Sequence, residues 1–451
     1  MRKYPKYKDS GVDWLGEIPN GWNTIYLKHL VKIKVTDGPH ETPIAVEEGI
    51  PFVSAEAVQN HTINFDSKWG FISKEDHLKY SKKCKPLNGD IFIVKSGATT
   101  GKVAYVNTDI EFNIWSPLAL IRANEKSVIS RYLFNYIVSP LFQEQVQFSW
   151  SFGTQQNIGM GVIQNLLVVT PPLPEQHTIV RFLDYKTGQI DSFIANRQKQ
   201  IELLKEQKAC IINNAVTKGI NPNAKMKDSG IEWIGEVPES WIVSKIKFAG
   251  KIINGYAFDS KDFKDSGIRG VKISNIQTRN IDWSEESFVE PFLFDKLENF
   301  RIKKDDLVFA LTRPIISTGI KAAIIETNEP MLINQRNAVF RPKSIDKKFL
   351  YHIIFNEDFI QYFESLIDNT GQQPNISSED IANIKIPLPP LEEQTEVVKY
   401  LDEHCGEIDT LISKYQKQID LMQEYRTSLI SQAVTGKIDV REWHPKKAVT
   451  A

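Results

Sequence analysis

Apolar residues recur at alternating steps of four and three along two long stretches of this chain. The first stretch runs through Leu183, Thr187, Ile190, Ile194, Arg197, Ile201, Leu204, Lys208, Ile211 and Ala215. The second runs through Leu401, Cys405, Ile408, Ile412, Tyr415, Ile419, Met422, Arg426, Leu429 and Ala433, each 218 residues after its counterpart (401 against 183). A sustained seam of this spacing predicts a coiled coil. A cation interrupts both seams at the same place, Lys208 and Arg426, which predicts that the two helices pair with each other in a defined register. The pairing residues expected are Leu183, Ile190, Ile194, Ile201, Leu204 and Ile211, with Leu401, Ile408, Ile412, Ile419, Met422 and Leu429.

The ends of these stretches carry helix punctuation. Pro172 and Pro174 precede or open the first, where a missing N–H is harmless. Glu175 sits in the first turn, favourable for the helix dipole. No proline or glycine interrupts until Gly188, matched by Gly406, and Gly219 and Gly436 supply the stops. At 1.5 Å per residue each rod is roughly 65 Å long, far beyond an ordinary globular helix.

A second repeat opens each half. KYKDSGVDWLGEIPNGW, Lys6 to Trp22, returns as KMKDSGIEWIGEVPESW, Lys225 to Trp241. The Glu-Ile/Val-Pro-x-x-Trp end reads as an extended lead-in, with Trp14, Trp22, Trp233 and Trp241 as apolar anchors.

Between lead-in and helix, each half alternates in a β-like way and has glycine turns. The first half has the loop Thr36–Pro43, the run Gly49–Val58, a hairpin over Asn88–Val106 around Ser-Gly-Ala-Thr-Thr-Gly, the strand-like Ser116–Ala123 and a helix over Tyr132–Val146. The second half repeats the order with Ile253–Phe263, Gly267–Ile276, Lys304–Ile325, Asn337–Pro342 and a helix near Phe349–Phe363. GTQQNI (Gly153–Ile158) answers GQQPNI (Gly371–Ile376), and both lead into the proline-marked helix. The chain is therefore a tandem duplication of lead-in, mixed globule and long helix. The helices and lead-ins are close copies, while the globules keep their order and differ in detail.

Composition changes this picture little. The 451 residues are 41% hydrophobic and 25% charged with a formal net charge of −1, so there is no global basic signal for nucleic acid, although a local patch is sufficient. Such a patch is offered near the N-terminus by Arg2, Lys3, Lys6, Lys8, Lys28, Lys32 and Lys34; a solvated charged face and a phosphate-facing one account for it equally well. Met1 opens a segment without the apolar core of a signal peptide, and no apolar run approaches membrane-spanning length. Cys84, Cys210 and Cys405 stand alone, without metal or disulfide spacing. The compartment expected is a reducing cytoplasm, with no membrane partner.

Catalytic motifs are not found. Gly97–Val103, GATTGKV, has three residues between its glycines where a phosphate loop needs four, and valine follows its lysine, so a tight hairpin turn is the better account. There is no GxGxxG after a strand, no GxSxG and no methyltransferase signature. Polar loops are the better candidates, because Asn, Gln, Arg, Lys, Ser and Thr recognise base edges. In the first half these are His40 and Thr42, then Lys95, Ser96, Thr99, Thr100 and Lys102, and then Gln155, Gln156 and Asn157. In the second they are Tyr256, Lys261, Thr312 and Arg313, then Asn334, Gln335 and Arg336, and then Gln372, Gln373 and Asn375.

The motifs KDSGxxWxGExPxxW at both lead-ins, PPLxEQ…LD…ID at both helices, and AVTKGI (Ala215–Ile220) and AVTGKI (Ala433–Ile438) at both helix ends span nearly the whole chain. In these it resembles the specificity subunits of type I restriction-modification systems. One departure is Pro174, where the second copy has Glu392; a helix start tolerates it. The resemblance implies an α/β (α+β) chain: two mixed α/β target-recognition globules joined by two long antiparallel coiled-coil helices, a pseudo-two-fold tandem repeat. The divisions expected are 1–172 for the first target-recognition domain, 173–220 for the central helix, 221–388 for the second domain, 389–438 for the C-terminal helix and 439–451 for a tail. The resemblance further implies a non-catalytic subunit that reads a bipartite site in double-stranded DNA. Its implied partners are two methyltransferase subunits and, where the system restricts, two restriction subunits. S-adenosylmethionine would be held by the methyltransferase subunit and ATP with Mg by the restriction subunit, with no cofactor on this chain. Two other classes stay open on the residues alone: a coiled-coil adaptor without DNA binding, and an enzyme in its own right.

Overall fold

The computed structural model describes residues 2–152 and 156–445. The chain divides into two compact units. One is built from residues 1–197 and 417–451, the other from residues 198–416.

In the first unit the lead-in forms a small antiparallel ribbon, Tyr7–Asp9 on Glu17–Pro19. Its Trp22 is buried, and fully burying an indole contributes ~4–6 kcal/mol. The indole N–H of Trp22 finds no acceptor among the described residues, which offsets part of that gain. The globule's main sheet orders its strands Val103–Tyr105, Ile91–Val94, Leu118–Ile121, Thr36–Asp37, all antiparallel. Its two central strands are buried at every position, so alternation serves two cores rather than core and solvent. Ile91, Ile93, Ala119 and Ile121 face the core shared with the long helices, and Phe92, Val94, Leu118 and Leu120 face a smaller one. A second sheet pairs Ile50–Val53 parallel with Asn113–Ile114 and antiparallel with Gly70–Ile72.

The second unit repeats this plan. Its main sheet runs Ala322–Ile324, Leu307–Ala310, Asn337–Pro342, Gly250–Asn254, and Ile268–Val271 pairs parallel with Met331–Ile333. Trp241 is buried like Trp22. The expected symmetry of the tryptophans fails at Trp14, which is 48% exposed. Its counterpart Trp233 is held by the rings of Phe359 and Tyr362 at 5.3 and 6.4 Å, whereas Trp14 has no ring contact among the described residues.

Each expected globule helix is in fact a pair. Ser130–Val138 breaks at the extended Ser139 before Pro140 opens the next helix, Pro140–Phe148, since proline cannot donate into a continuing helix. In the second unit Lys347–Ile354 and Glu357–Ser365 are separated at Asn356, whose side chain caps the second helix by accepting from the backbone N–H groups of Asp358 and Phe359. Neither polar loop enters the long helix directly. A short helix and a strand intervene, Met160–Gln164 and Leu167–Thr170 in one unit, Ser378–Asn383 and Lys385–Leu388 in the other.

The long helices are Leu173–Lys218 and Leu391–Val434, of 46 and 44 residues. Gly219 and Gly436 follow them at φ +72 each, the left-handed stop that glycine favours. In the first unit Leu183 and Ile190 share a core with Leu429 and Ala433, and Ile194 and Met422 pack against it. In the second, Ala215 shares a core with Leu401 and Cys405, and Ile211 packs against it. The early part of one helix thus meets the late part of the other, which is antiparallel pairing. Ile201, Ile408 and Ile419 are buried, and Leu204 and Ile412 are half-buried.

The two seam cations are each answered across the pair. Lys208 Nζ donates to Asp409 Oδ1 at 2.7 Å, and Arg426 Nε donates to Asp191 Oδ1 at 3.0 Å. The two bonds exchange under the 218-residue offset. Among the described residues, no helix is long and apolar enough to cross a membrane.

Candidate nucleic-acid interface

The end of one central strand in each globule is bonded to the polar loop that precedes the long helix. In the first unit Ile158 N–H donates to Lys95 O at 2.8 Å, and Gly97 N–H donates to Gln156 O at 3.2 Å. In the second unit Ile376 N–H donates to Leu311 O at 2.9 Å, and Arg313 N–H donates to Pro374 O at 2.8 Å. Ser96 bridges Asn157 in one, and Thr312 bridges Asn375 in the other. The same small ladder therefore carries different side chains in the two copies.

Around the first ladder the turn closes through glycines at positive φ, Gly97 at +99 and Gly101 at +94. Gln156, Asn157 and Lys102 are exposed, while Ser96 and Thr99 are half-buried. Gln155 lies outside the described residues. Thr100 is turned inward, its hydroxyl donating to Gly97 O at 2.7 Å. Lys95 is also inward: its Nζ lies 3.2 Å from Asp37 Oδ2, and Lys83 Nζ donates to Asp37 Oδ1 at 2.6 Å. Burial pushes the Asp37 carboxyl up, but these two ammoniums together carry it below the ordinary carboxylate range. Lys95 and Thr100 thus hold the turn in place. The loop carrying exposed His40 and Thr42 joins them through His40 Nε2, 3.2 Å from Asp37 Oδ2.

The expected basic stretch does not join this cluster. Lys32 lines a groove with Asn88, Arg122 and Lys126, at the end of strand Ile91–Val94 away from Lys95. Lys34 is exposed on the same segment, and no bond links it to the ladder among the described residues.

Around the second ladder, Tyr256 and Gln335 are tied by Gln335 N–H donating to Tyr256 O at 2.7 Å, and Leu311 N–H donates to Arg336 O at 2.8 Å. Asn334 bridges Tyr256. Gln335, Arg336, Arg313, Gln372, Gln373 and Asn375 are exposed. Thr312 is buried and donates to Asn375 Oδ1 at 3.0 Å, a bond within the loop. Lys261 is exposed on its own turn beside Asp259 at 3.5 Å, with no bond to the cluster among the described residues.

Three supporting pairs went unread in the sequence. The first is a bidentate clamp below each sheet. Arg122 donates through Nε and Nη2 to the buried Asp90 at 2.7 Å each, and Arg341 donates likewise to the buried Asp306 at 2.8 and 2.7 Å. The second explains the Gln of PPLxEQ. Fully buried Gln176 accepts from Ile129 N–H at 2.8 Å and donates to Pro171 O at 2.8 Å, and Gln394 accepts from Asp346 N–H at 2.6 Å and donates to Pro389 O at 2.8 Å. Each clips the start of a long helix to its globule. The third is a close approach at Gly38 and Gly255, where a Cβ would sit 1.8 Å from Ile114 O and 1.9 Å from Asn334 O. Superposing the two halves of the sequence at offsets near 218 would have exposed all three.

Two recognition globules of one plan, with unlike polar edges on a paired-helix scaffold, define a tandem-repeat recognition protein. Residues 19–203 and 238–421 match the family described as the type I restriction modification DNA specificity domain, and the chain belongs to that family. It is 29% identical over 433 residues to the MjaVIII specificity subunit of Methanocaldococcus jannaschii, covering 94% of each chain. It is 21% identical to the EcoKI specificity subunit of Escherichia coli, covering 94% of this chain and 90% of that one. Its fold is similar to a chain solved in work on assembly and conformational transition of the type I R-M system, with a TM-score of 0.70 at 16% identity over 93% of this chain and 99% of that one. It is also similar to the HsdS subunit of Thermoanaerobacter tengcongensis, with a TM-score of 0.52 at 17% identity over 93% and 98%. This chain is therefore a DNA-sequence-recognition subunit of a restriction-modification complex and not a catalyst. The adaptor alternative finds no support.

Proposed function

We propose that each globule reads one half of a bipartite, asymmetric site in double-stranded DNA, and that the paired helices set the unread gap between the halves. The observation that carries this reading is the repeated ladder. Its rungs carry Ser96, Gly97 and Gln156 in one copy and Thr312, Arg313 and Pro374 in the other. Unlike side chains on one frame read unlike sequences, whereas a symmetric dimer reads a palindrome. Affinity comes from phosphates and specificity from the exposed loop side chains.

The duplicated scaffold suits recruitment of two copies of one methyltransferase subunit, which holds S-adenosylmethionine and methylates adenine. Restriction subunits, with ATP and Mg, join the same scaffold in the cytoplasm when the system cleaves. This chain binds no cofactor of its own. The test is a genome-wide map of modified adenines in cells given this chain and its cognate methyltransferase subunit. A split, asymmetric motif with a fixed gap, methylated on both strands, is expected. An assembled complex that modifies nothing would overturn the reading.

A further inference from the structure

Arg313 and Arg336 differ from every other arginine among the described residues. Elsewhere each guanidinium donates to an acceptor or lies over a ring, as with Arg122 on Asp90, Arg269 on Glu286, Arg426 on Asp191 and Arg279 over Phe355. Arg313 and Arg336 make no side-chain hydrogen bond, ion pair or ring contact among the described residues, and both are exposed.

Both also occupy backbone that arginine rarely adopts, at φ +48 and +63. At the matching rung of the first ladder stands Gly97, at φ +99, the residue that takes this conformation without steric cost. A turn alone would be served better by glycine at 313. Retaining a side chain in such a conformation points to a use for that side chain.

The backbone at both positions is pinned. Arg313 N–H donates to Pro374 O, and Arg336 O accepts from Leu311 N–H, each at 2.8 Å. Two free guanidiniums are thus held on adjacent turns at the edge where the polar loops converge. Buried Lys321 lies beside Arg313, its backbone N–H donating to Pro314 O at 2.7 Å and its Nζ donating to Ile273 O at 2.6 Å. No carboxylate neutralises Lys321 among the described residues, so this edge favours a partner rich in acceptors.

Resting on the DNA-recognition reading above, we infer that Arg313 and Arg336 determine specificity in the second half-site by reading guanine. The guanidinium fork matches the O6 and N7 acceptors that guanine presents in the major groove. The first globule has Gly97 at the rung equivalent to Arg313 and reads its half-site without this contact.

The test maps methylation by the full chain with its methyltransferase subunit, for wild type, Arg313→Gly, Arg313→Lys and Arg336→Gly. The wild-type second half-site should contain guanine. Each glycine variant should lose discrimination at one guanine position by roughly 10- to 100-fold and leave the first half-site unchanged. The thermal midpoint of Arg313→Gly should equal or exceed that of wild type, because glycine fits the turn. Lysine at 313 should not restore discrimination. An unchanged motif overturns the inference. So does a uniform loss of binding that lysine restores, which would make 313 a phosphate contact, or a midpoint several degrees lower, which would make it structural. A wild-type complex that methylates no split site overturns the functional reading instead.

Discussion

Gln176 shows how much a single buried side chain decides here. Its amide satisfies a globule N–H and a helix-start carbonyl at once, with no water access. Gln176→Ala would strand the Ile129 N–H in the core, at a cost of ~1–3 kcal/mol. Denaturant unfolding should register that loss, and Gln394→Ala should match it in the second unit. His352 offers a pH readout. Burial is the main cause that pushes its imidazole down to about 4, with Asp402 acting the other way and Arg279, Lys348 and Lys208 adding to the depression. An unfolded histidine titrates near 6.5, so the unfolded chain binds more protons between those values. Stability of the second unit is full above about 6.5 and is lost as pH falls toward about 4, by up to ~3 kcal/mol. His352→Phe should flatten that stretch of the profile; an unchanged slope would contradict the assignment.

At the level of the element, the interhelical ion pairs set register more than stability. Lys208 and Asp409 are 28% and 58% exposed at their side chains, and exposed pairs contribute only about 0–1 kcal/mol. Reversing the charge at Lys208 alone should slip or loosen the pairing, and the swap Lys208→Asp with Asp409→Lys should restore it, as read by interhelical cross-linking. The ruler reading has its own test. Adding seven residues after Lys205 and after Gln423 keeps the heptad seam and adds about 10 Å to each rod. The methylated motif should then gain about three unread base pairs; an active variant with its old gap would refute the ruler. These helices were legible because a heptad seam, flanking prolines and stop glycines are local signals. The strands were legible as runs, such as Asn337–Pro342. The paired globule helices were passed over because the apolar pattern runs on through both breaks, although Pro140 and the capping Asn356 are local signals of a new helix start. The ion pair of Lys95 was not legible either: its charge reads as surface until Asp37 is brought across the sheet to meet it.

For the whole molecule, the first unit is assembled from both ends of the chain. Leu429, Ile430, Ala433, Val434, Ile438 and Val440 belong to the same core as Trp22 and Tyr132. The Tyr132 hydroxyl donates to Val434 O at 3.1 Å, and Trp443 packs on Phe182 at 5.3 Å. Deleting residues 417–451 should therefore unfold the first unit while leaving the second protease-resistant. Limited proteolysis with mass mapping checks this, and equal loss of both units would contradict it.

The same interleaving fixes an order of events during synthesis. The second unit is one uninterrupted segment, so it holds everything it needs once residue 416 has left the ribosome. The first unit, though translated earlier, must wait with an open core until the last stretch of the chain arrives. The half made first is completed last, and during that wait it is the half most exposed to chaperones and proteases.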